Sequence, residues 1–260
     1  AFAAAGGAFA SNAWMMIIWR RDEAKREVRR QRLSSEKSSR APLSICSSVR
    51  LRIGEGNPSA GGSPSDASLS RVEVDLWQAG EGTRTSLNSL SLITTSAAGP
   101  GAPSHAGITH ELRTKARLSH HGGKISQVAK MVASGGSSHC IFDGKVDVER
   151  YAQETDAAQI ARGLLLTKRA TINARPNLRI QADNVVASHG CTIADLEEEQ
   201  LFYLASRGLD ERTARGVLIS SFIREITQLF TDDGGGQGVP FQKLSSRVEA
   251  SVQRALELCD

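Results

Sequence analysis

From Gln159 onward, short aliphatic clusters recur along the chain: Leu164 to Leu166, Ala170 with Ile172, Leu178 with Ile180, then Val185 with Val186. The interval is about seven residues, too short to hold a helix between strands and too regular for chance loops. Short strands at that pitch, separated by polar bends such as "NARPN" and "QADN", suit a coiled parallel sheet whose strands stack turn upon turn. A β-sandwich is the alternative, although its strands are usually spaced at about 8 to 12 residues.

The same texture extends upstream. "RVEVDLWQAGEG" alternates Val72, Val74 and Leu76 before a glycine turn, and "SLNSLSLI" repeats the pattern. "IFDGKVDV" holds Asp143-Gly144 between apolar residues, which predicts a tight turn there, and composition makes 96–106 and "SHHGGK" loops. Aromatic content of 5% and 24 glycines agree with many short elements filled by aliphatic side chains.

Residues 1–70 differ in kind. The apolar run "WMMIIW" is followed by "RRDEAKREVRRQR" and then by a stretch rich in serine, glycine and proline from Ser34 to Ser70. Such a composition buries too little apolar surface to offset chain entropy, so a disordered leader is expected. Three roles fit it: an organelle-targeting leader rich in Arg and Ser, a featureless tail, or a contact for an acidic surface. The run Trp14 to Trp19 is far shorter than the roughly 20 residues that span a bilayer. No membrane segment is expected, and a net charge of +4 does not by itself indicate a nucleic-acid partner.

After Thr192 the period becomes helical. Asp195 with Glu198 suggests an acidic capping box, Leu201, Leu204 and Ala205 share a face, and Gly208 is the expected terminator. Asp210 can cap a second helix with Ala214, Val217, Leu218, Phe222, Ile226 and Leu229 as its apolar stripe. "DDGGGQGVP" separates that from a third helix carrying Phe241, Leu244, Val248, Val252, Leu256 and Cys259. The division is a leader at 1–70, a parallel β core at 71–191 and a helical region at 192–260.

Four cysteines, Cys46, Cys140, Cys191 and Cys259, are widely separated with no C-x-x-C pair, against both a disulfide scaffold and a self-contained zinc site. His189 and Cys191 lie two apart, and in an extended segment both face one way. An imidazole and a thiolate there could ligate zinc, iron or an iron-sulfur cluster, but two ligands do not close a tetrahedral site. The others must come from elsewhere in the chain, a partner or a substrate. The plainer reading makes His189 a backbone-bonded residue and Cys191 a small apolar filler. His139 and Cys140 point to opposite faces if extended, and His120-His121 has no acid or cysteine beside it in sequence. No phosphate loop, dinucleotide fingerprint, H-E-x-x-H or G-x-S-x-G motif is present, which favours a scaffold or binding subunit over an enzyme.

The segment Ala152 to Phe222 resembles the SufB/SufD family of the SUF iron-sulfur cluster assembly machinery, on its SufD side. The matching pieces occur in order: AQ-x-TDA-x-Q at 152–159, LLL at 164–166, P-x-L-x-I-x-AD at 176–183, SHG at 188–190 and LFYL-x-SRG at 201–208. Weaker similarity reaches back through "IFDGKV" and "HGGKISQ" to about Val72.

The resemblance implies a mainly β protein, a right-handed parallel β-helix followed by a C-terminal α-helical region. It implies a non-enzymatic, SufD-like scaffold that pairs with a SufB-like subunit and docks the ATPase SufC through its C-terminal helices. His189 becomes the residue at the interface where a transient iron-sulfur cluster, shared with SufB, is assembled; Cys191 is a second candidate metal ligand on its two-residue spacing from His189 alone. The plastid is the expected compartment, with a bacterial cytoplasm as the alternative. The chain departs from the family in having Ala187 before the SHG triplet, where cysteine is frequent, and Cys191 after it, where alanine is usual. The first coils of the β-helix also look truncated. A metal-dependent β-helix enzyme acting on a small molecule or sugar, and a nonfunctional truncated relative, are the competing readings.

Overall fold

A computed structural model of the chain describes residues 2–9, 13–21, 47–56, 68–94, 108–135 and 138–231. Its centre is a pair of parallel sheets facing one another. One consists of β5 (Arg84–Thr94), β7 (Lys124–Ser134), β9 (Thr155–Leu165) and β11 (Val185–Ala194). The other consists of β4 (Ser68–Gln78), β6 (Ile108–Leu118), β8 (Ser138–Val148) and β10 (Thr171–Ile180). Successive strands alternate between the sheets, so the chain coils as a parallel β-helix, as its spacing predicts.

The rungs are longer than the aliphatic interval suggests. Ile172 and Leu178 both lie in β10, so "NARPN" is interior to a strand and only "QADN" is a bend. Asp143-Gly144 is likewise no turn. It sits in the middle of β8, paired in parallel with β6 and β10. Gly144 is there for close approach, since a Cβ would collide with the Gln159 amide and the Phe142 ring. The true turns are stacked: Gly82 N–H donates to the His121 carbonyl at 2.8 Å, and Gly122 N–H to that of Gln153 at 2.8 Å. Gly82 and Gly122 both have positive φ, which the glycine supplies without steric cost, whereas Glu154 takes the equivalent place one coil further at φ 55°.

Alternate residues face inward. Val72, Val74, Leu76, Leu112, Ala116, Leu118, Ile125 and Phe142 build the main core between the sheets. Within 1–70, where composition predicts no regular structure, three stretches are strands: β1 (Phe2–Phe9), β2 (Ala13–Arg21) and β3 (Ser47–Gly56). They add antiparallel, β1 to β2 and β2 to β5 in one sheet, β3 to β4 in the other. Edge pairing overrides composition here, because a strand gains its ladder from a neighbour that composition cannot reveal.

Two helices follow, α1 (Glu198–Ser206) and α2 (Glu211–Thr231). The capping box does not form: Asp195 instead accepts the Leu196 N–H at 2.7 Å, and α1 begins at the N-cap Glu197 with no side-chain cap. Gly208 does terminate α1, at φ 89°, and Asp210 does cap α2, accepting the Thr213 N–H at 3.1 Å. The buried stripe of α2 is Ala214, Ile219, Ile223 and Ile226, whereas Val217 is exposed. Ile219, Ile223 and Ile226 cover Leu90, Leu92, Val132, Leu164 and Leu166 in a second core, on the outer face of the β5-β7-β9 sheet. The expected loop at 96–106 and the third helix lie outside the described residues.

Candidate functional site

The last coil is open. β11 pairs only with β9 and β10 only with β8, so among the described residues both strands carry a free edge. β11 registers Ala187 on Ala157, His189 on Gln159, Cys191 on Ala161 and Ile193 on Gly163. Those four β9 positions are the inward, buried ones. The inward sense of β11 is fixed independently: a Cβ at Gly163 would stand 3.0 Å from buried Ile172 and 3.3 Å from Ile193. His189 and Cys191 therefore continue the interior columns of the β-helix, yet both are exposed because no further coil among the described residues covers them.

The two side chains thus share one face of one strand, and both are exposed. Gly190, between them, faces the opposite side of the strand, where nothing lies within 4 Å of a Cβ position. The other candidates separate. His139 and Cys140 do face opposite ways on β8, and Cys140 is fully buried, its thiol pushed up to about 12 by desolvation. His121 sits at a turn with its Nε2 3.3 Å from a Glu154 carboxylate oxygen. Among the described residues no three His, Cys, Asp or Glu side chains group closely enough to hold a metal ion. His189 and Cys191 can supply two donors, imidazole nitrogen and thiolate sulfur, and a closed site needs donors from outside that strand.

Behind His189 runs a polar column that the sequence reading missed. Gln159 Nε2 donates to Gln127 Oε1 at 2.9 Å, and Gln127 Nε2 donates to the Thr114 hydroxyl. All three are buried inside the β-helix. A signal was available: "ISQVAK" from Ile125, "AAQIAR" from Ala157 and "ASHGCT" from Ala187 are successive coils with the polar residue in the same place.

The helices offer a second surface. No residue of α1 is buried, and Phe202 and Tyr203 are 76% and 57% exposed, with Arg207 stacked 5.3 Å over the Tyr203 ring. An aromatic pair held out from a protein surface is characteristic of protein contact sites. The helical region is anchored by Lys130 of β7, whose side chain is wholly buried beneath α2. Its ammonium donates to the Phe222 carbonyl at 2.6 Å and to Glu225, and lies 4.4 Å from the Phe222 ring centre. No helix among the described residues is long and apolar enough to cross a membrane.

Residues 64–222 match the family model described as the SufBD core domain of the SUF system for FeS cluster assembly. The chain is 42% identical over 162 residues to "Protein ABCI7, chloroplastic" of Arabidopsis thaliana, covering 62% of this chain and 32% of that protein. It is 38% identical over 160 residues to the iron-sulfur cluster assembly SufBD family protein slr0076 of Synechocystis, covering 62% and 33%. With the iron-sulfur cluster assembly protein SufD of Escherichia coli it shares 34% over 128 residues, 48% of this chain and 30% of that one. The chain spans about a third of the length of these relatives.

Proposed function

Because the chain belongs to the SufBD core family of the SUF iron-sulfur cluster assembly system, we propose that it acts as a SufD-like scaffold subunit. It pairs with a SufB-like subunit through the open coil at β10 and β11, and it docks a SufC-like ATPase through α1 and α2. It performs no chemistry of its own, and the iron-sulfur cluster is its transient cargo. The observation that carries the reading is the placement of His189 and Cys191 on an exposed interior column at a free strand edge.

His189 contributes an imidazole nitrogen to the nascent cluster at the interface, and the SufB-like partner contributes the donors this strand lacks. Cys191, on the same face, is the second donor. A free edge favours such pairing, because its backbone N–H and C=O groups can extend the sheet into another chain. The plastid is the proposed compartment, supported by the chloroplastic relative at 42% identity.

Co-expression with SufB-like and SufC-like partners tests both surfaces. His189→Ala should preserve the three-subunit complex while abolishing cluster build-up, followed by the visible absorbance of the reconstituted complex. Phe202→Ser with Tyr203→Ser should release the ATPase and keep the SufB-like partner. These point changes are preferable to removing everything after Asp195, which would strip Ile219, Ile223 and Ile226 from the second core. Wild-type cluster yield in His189→Ala, or ATPase retained by the double variant, would refute the corresponding assignment.

A further inference from the structure

The buried polar column has a direction. Gln159 donates its amide N–H to Gln127, and Gln127 donates in turn to Thr114, so each acceptor but one is used. The exception is Gln159 Oε1, fully buried and without a hydrogen-bond partner. A buried carbonyl oxygen calls for a donor. The residue one coil further along the same inward column is His189.

We propose that Gln159 is the positioning residue for His189, its Oε1 accepting one imidazole N–H and thereby fixing the ring tautomer. The reach is that of the neighbouring step. Gln127 and Gln159 are register partners on adjacent strands and are joined at 2.9 Å. Gln159 and His189 are register partners across the next strand pair, where the rungs are again about 4.8 Å apart. Once one ring nitrogen is committed to the glutamine, the other carries the lone pair and faces out of the open coil. That is the arrangement a histidine ligand requires: one nitrogen donating to a fixed carbonyl, the other free to coordinate or to take a proton. Thr114 and Gln127 then act at a distance, by holding the Gln159 amide the right way round. Gly144 has the same effect, since any side chain there would displace that amide.

This inference rests on the reading of His189 as the ligand only for its purpose, and the two can fail separately. The full 260-residue chain, labelled with 15N-histidine, gives ring-nitrogen spectra for its six histidines, with His189 assigned by its disappearance in His189→Ala. At a pH where the ring is neutral, a single tautomer is expected in the wild type and an averaged mixture in Gln159→Met. The His110 signal, from inside the core, should stay fixed and report that packing is intact. A mixture already in the wild type, or an unchanged single tautomer in Gln159→Met, overturns the proposal. Should Gln159→Met not fold, Gln127→Met serves in its place, because the Gln159 amide then loses the contact that orients it and the tautomer should again become mixed. Here too an unchanged single tautomer counts against the pairing. A fixed tautomer combined with full cluster assembly by His189→Ala would leave the pairing standing and remove the proposed ligand role instead.

Discussion

His110 lies on the inward face of β6, between Ser70 and Cys140 in the stacked register. Burial holds its imidazole down to about 4, because the charged form would lose its water. In the unfolded chain the ring titrates near the ordinary 6.5, so between pH 6.5 and 4 the unfolded state binds the extra proton. The stabilising effect of a neutral ring is complete above 6.5 and disappears as pH falls towards 4, a loss on the order of 3 kcal/mol. Cys140, pushed up to about 12, is silent throughout this window. Urea midpoints measured from pH 7.5 down to 4 should fall in the wild type and much less in His110→Gln. A parallel decline in both would place the acid sensitivity elsewhere. At this scale the sequence was partly legible. The alternation in "RVEVDL" gives Val72, Val74 and Leu76 as inward residues. Gly144 misled because a D-G pair reads as a turn from local chemistry alone, whereas its cause is Gln159, a residue on the opposite sheet.

Beside the isoleucine contacts of the second core, one buried cation joins α2 to the β7 strand. Burial holds the Lys130 ammonium below the ordinary lysine range despite its bond to Glu225, while that same bond keeps the Glu225 carboxyl below the usual carboxylate range. The pair is asymmetric, with side-chain exposures of 0% for Lys130 and 59% for Glu225. Removing the carboxylate leaves a buried charge with only a carbonyl and a ring for company, whereas removing the lysine leaves a carboxylate that water can solvate. Glu225→Ala should therefore loosen α2 by about 2 kcal/mol, less than the 3–5 typical of a fully buried broken pair. Lys130→Met, which refills the space with an apolar chain, should be close to neutral. Amide hydrogen exchange along α2 distinguishes them, and equal protection in the two variants would contradict the asymmetry. The helices themselves were legible from spacing and from Gly208 and Asp210. The buried stripe was not, because Ile219 and Ile223 become core only against Leu92, Val132 and Leu164, outward residues of strands that look solvent-facing in a two-residue alternation.

For the whole molecule, the aliphatic recurrence was enough to give a coiled parallel sheet, and the motif order around the SHG triplet was enough to give the family. Rung length, the stacking of Gln127, Gln159 and His189, and the pairing of β2 with β5 depend on register between distant segments, which no single stretch encodes. Register also produces the feature with the largest consequence for assembly, a last coil whose strands β10 and β11, among the described residues, each pair on one side only. Val186 lies on the outward face of β11 and is 69% exposed, so Val186→Lys removes no core contact and should change stability by no more than about 0.5 kcal/mol. A lysine on an edge strand opposes pairing with another edge, because docking would take the ammonium out of water beside the new strand. The unpartnered wild-type chain should self-associate with rising concentration, and Val186→Lys should shift it towards monomer in sedimentation velocity. On the proposed assembly, the same substitution should weaken capture of a SufB-like partner in co-expression and leave capture of a SufC-like ATPase intact, since α1 and α2 are untouched. Equal self-association and equal SufB-like capture in both proteins would mean that the free edge of β11 takes no part in assembly.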